Sequence, residues 1–271
     1  MKEKLIELIT QRLRADAQAL REDFNTPRSI DTRYTVIDNL LPDEIARQVS
    51  EAFPPLSEMR FLDSFREKKY TSKSLDKFSP LVSDITFAFQ DQRVIDAVLN
   101  ITGQVNAVGD PLLYAGGISA MSRDNFLNPH IDNSHDFEQK NYRVLNLLYY
   151  CTPGWRAECG GNLELWDVNV TAAVEIPSLF NRLVLMETHD HSWHSVNRVS
   201  VDDIRRCVSN YYFSPDSPNS YETTHITTFK GRPDQKLNRM ISAADGVVRS
   251  AVRRIAKRGL GRRDLFEKSD K

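Results

Sequence analysis

The chain has 271 residues, 40% of them hydrophobic and 9% aromatic, which is enough to bury one substantial core, so one main domain with extensions is expected. Its 36 basic and 37 acidic residues leave a formal charge of -1, which gives no whole-molecule case for a nucleic-acid or acidic partner; any such partner would need a local patch. The three cysteines, Cys151, Cys159 and Cys207, show no C-x-x-C spacing, which argues against a disulfide framework or a structural zinc site and fits reduced thiols in a cytoplasm.

Along the chain, Leu5, Ile6, Ile9, Leu13, Ala17, Leu20 and Phe24 recur at helical spacing among charges. They predict one amphipathic helix that ends near Pro27. The same charges are incompatible with the apolar core of a signal peptide, and no later run reaches membrane-spanning length, so a soluble cytoplasmic protein is expected. Tyr34 to Asp38 alternates like a strand, and Pro42 suits the start of a helix over about 43–53 on which Ile45, Val49 and Phe53 share a face. Residues 87–103 read as a further helix.

From about residue 111 short β-rich runs follow one another: PLLYAGGISAM, YRVLNLLYY, NLELWDVNV, AAVEIP, NRLVLMET, SWHSVNRV and RRCVSNYYF. Turn-forming clusters such as TPGW and ECGG separate them, which predicts an α+β protein whose second half is a sandwich, barrel or jelly roll. The boundaries expected are an N-terminal helix over 1–30, a main domain over 31–233 with its β core at about 111–215, and a basic helical extension over 234–271. In that extension seven Arg and Lys residues from Arg249 to Arg263 flank an apolar stripe of Val248, Val252 and Ile255. Residues 249–263 could therefore touch an anionic membrane surface, or simply present a solvated face.

Chemistry concentrates in NPHIDNSHD, Asn128 to Asp136. In an extended segment His130 and Asp132, two apart, point to the same side, into the β structure. A histidine from a later strand would complete a 2-His-1-carboxylate facial triad for Fe(II). His194 suits that role because it opens the β-like run HSVNRV, whereas His189 and His191 lie in the preceding turn. His135 and Asp136 fall in the loop beyond the site. Such a metal centre calls for a 2-oxo acid, whose distal carboxylate an arginine grips better than a lysine. Arg205 and Arg206 both stand at the start of RRCVSNYYF; alternation puts Arg206, Val208, Asn210 and Tyr212 on one face and Arg205, Cys207, Ser209 and Tyr211 on the other.

In this order HID, RVLNLLYY, GGNLELW, HSVNRV and RCVSNYYF resemble the Fe(II)- and 2-oxoglutarate-dependent oxygenases, in particular their prolyl 4-hydroxylase-like branch, over about residues 111–213. IDNLLPDEIARQV is similar to the entry of that catalytic domain. The resemblance implies a double-stranded β-helix, or jelly roll, with supporting N-terminal helices. It implies that His130, Asp132 and His194 are ligands of Fe(II) and that Arg206, with Arg205 as the fallback, grips 2-oxoglutarate. It also implies co-substrate contacts from Asn146 and Tyr150.

Where the family often has a tyrosine and a glycine upstream of the H-x-D, this chain has Ala120 and Arg123. The implied reaction uses O2 to hydroxylate an unactivated C–H bond and releases succinate and CO2. A small or carrier- or lipid-linked metabolite is the expected substrate, with no nucleic-acid partner. Asn133, Asn128, Trp155 and Trp166 are candidates for the edge of the substrate pocket. A cupin-like, non-redox metal-dependent isomerase or lyase is the alternative reading.

Overall fold

A computed structural model describes residues 1–114, 116–218 and 224–235; the predicted basic extension and its membrane-facing segment lie almost wholly outside them. In chain order the elements are α1 (Lys2–Ala15), α2 (Ala17–Phe24), β1 (Tyr34–Ile37), α3 (Asp43–Glu51), β2 (Arg60–Asp63), β3 (Glu67–Ser72), α4 (Pro80–Ala88) and α5 (Gln92–Thr102). Next come β4 (Gly117–Met121), β5 (Phe126–Ile131), β6 (Tyr142–Tyr150), β7 (Leu163–Trp166), β8 (Ala173–Ile176), β9 (Arg182–Glu187), β10 (His194–Val196), β11 (Arg205–Ser214) and β12 (Thr228–Phe229).

Helices therefore gather in the first half and strands in the second, as the pattern predicts. Three details differ. The N-terminal helix breaks at Asp16, which leaves helical geometry (φ -107°, ψ 11°). The helix expected over 87–103 is two, because Asp91 caps α5 by accepting from the Arg93 amide at 3.0 Å. The β2–β3 hairpin is absent from the sequence reading, since EKKYTS has no apolar alternation to announce a strand.

The strands form one continuous curled antiparallel sheet in the order β1-β9-β6-β11-β4-β3-β5-β10-β7-β8, with β2 added to β3 and β12 to β5. Its two halves fold over each other as a jelly roll. β3 joins them, pairing with β4 at Tyr70–Ser72 and with β5 at Glu67 and Lys68.

Side-chain alternation divides the larger half. On its outer face Leu145, Leu147 and Tyr149 of β6, Leu183 and Leu185 of β9, and Val208 and Tyr212 of β11 share one core with Leu5, Ile9 and Leu13 of α1 and with α3 to α5. On its inner face Tyr150, Val184, Met186 and Cys207 meet Leu163, Leu165 and Ile176 of the smaller half. The helices thus stiffen the back of the sheet whose front faces the interior. Among the described residues no helix is long and apolar enough to cross a membrane.

Ile9 is fully buried in the core that α1 shares with β6 and β9. Ile9→Ala is expected to cost about 2–5 kcal/mol. The test is urea unfolding followed both by helix dichroism and by fluorescence of Trp155, Trp166 and Trp193, all in the β half. Both transitions should move to lower urea together, and a shift in the helix signal alone would contradict a shared core.

Candidate active site

β5 and β10 lie side by side, and in their register His194 stands directly opposite His130. Directly opposed residues of an antiparallel pair point to the same face, and here the imidazole centroids are 4.1 Å apart. Each ring is oriented from behind by a main-chain carbonyl: His130 Nδ1 is 3.0 Å from Asn128 O, and His194 Nδ1 is 2.9 Å from Ser192 O. A carbonyl only accepts, so each Nδ1 carries the proton and each Nε2 presents a lone pair to the interior.

Asp132, just beyond the end of β5, brings its carboxylate to those lone pairs, with Oδ1 3.6 Å from His130 Nε2 and Oδ2 3.5 Å from His194 Nε2. Three donors converge here with no proton between them, a set that could hold a metal ion.

The charges around this triad keep it ready for a cation. Burial pushes the His130 imidazole down to about 3, helped by the neighbouring His194 and opposed by Asp132, so the ring is neutral near pH 7. Burial alone would raise the Asp132 carboxyl. The Arg143 guanidinium, the two imidazoles and the Asn146 amide outweigh it and hold the group far below the usual carboxylate range. Arg143 Nη1 is 2.9 Å from Asp132 Oδ2, and Asn146 Nδ2 donates to the same oxygen at 2.8 Å. Arg143 is itself almost fully buried, its guanidinium lying over the Tyr211 ring at 4.3 Å and donating to Asn133 Oδ1 at 2.7 Å. Phe229 of β12 stacks on His130 with ring centroids 5.2 Å apart.

The triad opens into a cavity of about 850 Å³ between the halves of the sheet. Arg205 reaches into it, whereas Arg206 does not, and the expectation for Arg206 is corrected by strand register. Cys207 lies opposite Tyr150 and Tyr211 opposite Asn146, so the face that carries Asn146 and Tyr150 takes the odd-numbered residues of β11. Arg206 instead lies opposite Ala120, whose side chain belongs to the helix-side core, and Arg206 Nη1 donates to the carbonyl of Ile204 at 3.2 Å.

Arg205 is 3% exposed, with its guanidinium 4.6 Å above the Tyr150 ring and Nε donating to Ser178 Oγ at 3.2 Å. Its stem crosses Gly161, where φ is +68° and an added Cβ would come within 2.9 Å of Arg205 Cδ, so the glycine makes room for the arginine. The Tyr150 hydroxyl beside it is buried, with Ser178 and Arg205 as its hydrogen-bonding neighbours, whereas Asn146 Oδ1, beside Asp132, is unsatisfied. Two donors, the Arg205 guanidinium and the Tyr150 hydroxyl, meet at this end of the cavity, which suits an anion with oxygen acceptors.

Other expected pocket residues divide. Asn133 lines the cavity. Asn128 turns away from it, donating to Phe65 O at 2.7 Å and so bracing the hairpin turn. Trp166 points to the opposite face of β7, where it donates to Ser195 Oγ at 2.7 Å beneath Arg232. Trp155 is buried with its Nε1 donating to Gly160 O at 2.9 Å. His135 packs on Tyr142, Asp136 closes its own turn through Asn141 at 2.7 Å, and His189 and His191 line a separate cavity next to Glu187. The sequence reading missed Arg143, Phe229 and the hairpin. A charged residue opening an apolar strand, as Arg143 opens RVLNLLYY, was the one available signal for the first.

Residues 116–214 match the family model of the 2OG-Fe(II) oxygenase superfamily. A comparison with curated protein sequences finds no match. Among solved structures the chain is similar to a Trichoplax adhaerens prolyl hydroxylase in complex with a hypoxia inducible factor peptide fragment, at 17% identity and TM-score 0.52 over 75% of this chain and 93% of that one. It is also similar to a Phytophthora capsici prolyl 4-hydroxylase, at 16% identity and TM-score 0.51 over 93% of this chain and 78% of that one. At these identities the likeness concerns the fold, and it agrees with the jelly roll built above. The match to the 2OG-Fe(II) oxygenase superfamily model spans the strands from β4 to β11, and with them His130, Asp132, His194 and Arg205.

Proposed function

We propose that His130, Asp132 and His194 bind Fe(II), that Arg205 grips the distal carboxylate of 2-oxoglutarate, and that the chain hydroxylates an unactivated C–H bond of a small or carrier-linked metabolite. The observation that carries this reading is the pairing of the two sites in one cavity: three proton-free donors at one place, and a buried guanidinium beside a buried hydroxyl at another. Fe(II) held there, with its co-substrate and O2, would supply the oxidising power and release succinate and CO2.

The chain's own residues supply position. The carbonyls of Asn128 and Ser192 fix the two imidazoles, and Arg143 and Asn146 both engage Asp132 Oδ2, which leaves Oδ1 turned toward the donors. Arg205 offers a planar fork, Ser178 holds its Nε side, and Tyr150 has a hydroxyl to donate. A cupin-like isomerase would have no use for that second set.

On this reading residues 31–233 are the oxygenase unit, with the helix over 1–30 as its support. The hairpin on one side and the β12 segment on the other narrow access, which favours a metabolite. The peptide held by the Trichoplax adhaerens enzyme makes a peptidyl substrate the second reading.

Anaerobic addition of Fe(II) and 2-oxoglutarate is expected to give a visible charge-transfer band. A His130→Ala, Asp132→Ala double variant should lack it; survival of the band in that variant, or its absence in the wild type, would sink the assignment. Titrating 2-oxoglutarate against the band tests the second site. Arg205→Ala removes a buried charge-assisted contact worth about 2–5 kcal/mol, so the apparent Kd should rise roughly 30-fold or more, whereas Arg206→Ala should change it by less than about 3-fold. Equal losses in the two variants would return the role to an undivided pair.

A further inference from the structure

The two histidines of the triad are held from outside their own strands by one stretch of chain, residues 224–232, which follows the segment matched by the superfamily model. Ser134 ties down its start: the Ser134 amide donates to His225 O at 3.0 Å, and Ser134 Oγ accepts from the His225 amide at 2.9 Å. The stretch then runs antiparallel along β5 as β12, and Lys230 N donates to Pro129 O at 2.8 Å. At its far end Arg232 pairs with Glu164 of β7.

The first contact falls on His130. Register sets Phe229 directly opposite His130 on one edge of β5, as His194 stands opposite it on the other. Phe229, His130 and His194 therefore form a row of cross-strand neighbours on the inner face. The Phe229 ring lies 18° from parallel to the imidazole, with centroids 5.2 Å apart. The His130 Nδ1 bond goes to the carbonyl of Asn128, two residues back on the same strand, so it fixes the ring relative to β5 alone. Phe229 limits the tilt of that ring from a second element.

The second contact falls on the strand of His194. β10 has three residues, and its ladder to β5 shifts register between His194 and Val196, so few backbone bonds hold the imidazole in place. Arg232 acts at this point. Its Nη2 donates to Val196 O at 3.1 Å and to Ser195 Oγ at 3.4 Å, while the two ends of its fork engage the Glu164 carboxylate at 2.9 and 2.6 Å. Alternation turns Ser195 away from the cavity, where its Oγ donates to Glu164 Oε2 and accepts from Trp166 Nε1 at 2.7 Å. The residues after His194 are thus clamped to β7 through one largely buried ion pair.

Resting on the oxygenase reading above, we propose that residues 224–232 are a positioning strap for the metal triad, in which Phe229 sets the plane of the His130 ring and Arg232 fixes the strand that carries His194. The strap acts through the ligands. Its effect falls on metal affinity, whereas the grip on 2-oxoglutarate at Arg205 comes from other strands.

The test titrates the full chain with Co(II), whose visible bands report both occupancy and ligand geometry. Phe229→Leu keeps an apolar side chain and loses the stacked ring; Arg232→Lys keeps a charge for Glu164 and loses the fork that also reaches Val196 O. Each is expected to weaken Co(II) binding roughly 10-fold or more and to shift the bands. Phe229→Tyr, which keeps the ring, should stay within about 3-fold of wild type. So should Thr228→Val, a change on the opposite face of β12, where Thr228 Oγ1 donates to Ile226 O at 3.0 Å. With saturating Fe(II), 2-oxoglutarate titrations of the charge-transfer band should agree in all variants within about 3-fold. Thermal midpoints are read alongside. A lower midpoint in Phe229→Leu and Arg232→Lys with unchanged Co(II) affinity and bands would make the strap a brace of the fold alone and overturn the proposal, as would an equal loss in Thr228→Val. Failure of the wild type to bind Co(II) would sink the metal reading and the strap with it, whereas binding by the wild type with unaffected strap variants overturns the strap alone.

Discussion

Everything about the site depends on the register between β5 and β10. His130 and His194 are 64 residues apart in sequence, and only because they stand directly opposite each other do their rings come within 4.1 Å on one face. A one-residue slip would send one imidazole to the other side of the sheet. The register is protected from both sides, by β7 pairing with β10 through Leu163–Leu165 and by β12 pairing with β5 at His130 itself. Arg232 locks the β12 segment down by reaching Glu164 at 2.6 Å, in a largely buried pair. The tether of the chain's last described stretch and the geometry of the metal triad are thus parts of one arrangement.

The electrostatics follow from placing these groups where water is scarce. Burial disfavours charge on His130 and would equally disfavour it on Asp132, so a carboxylate persists only because Arg143 is buried beside it. Arg143 in turn lies over the Tyr211 and Phe213 rings, at 4.3 and 5.6 Å from their centroids. Removing it would leave an unmatched buried charge, so the residue that orients the proposed ligand also makes its ionised form tolerable. The helices take part at one remove: Tyr212 and Tyr149, on the reverse of the strands that carry Tyr211 and Tyr150, anchor the sheet to Phe89 and to Asn181. Fixing the back of each strand fixes the front.

Division of labour between strands separates chemistry from selection. The proposed metal and co-substrate contacts come from β5, β6, β10 and β11, all within the segment that matches the superfamily. The hairpin that closes the cavity comes from before that segment, and its polar, charge-rich strands are held by pairing to β4 and β5 and not by burial of their own side chains. A wall of this kind tolerates changes in its charge pattern without disturbing the triad, which fits a role in choosing the substrate.

Strand-rich texture after residue 111, helices before it and the H-x-D with a later histidine were legible in the sequence because each is a local pattern: alternation, 3.6-residue spacing, or a motif within three positions. The resemblance of the ordered motifs supplied the fold by itself. Arg205 over Arg206 was not legible. Alternation sorts β11 into two faces but does not say which one looks inward, and that was decided by the pairing of Cys207 with Tyr150 across to β6. Arg143 was hidden for the same reason, since nothing local tells a strand-opening arginine in solvent from one folded onto a carboxylate 11 positions upstream. Pairing Arg60 with Thr71 and Leu62 with Lys69 in tertiary structure decided which side chains of the hairpin line the cavity, because the sign of a charge is written in the residue while the cavity it faces is set by register.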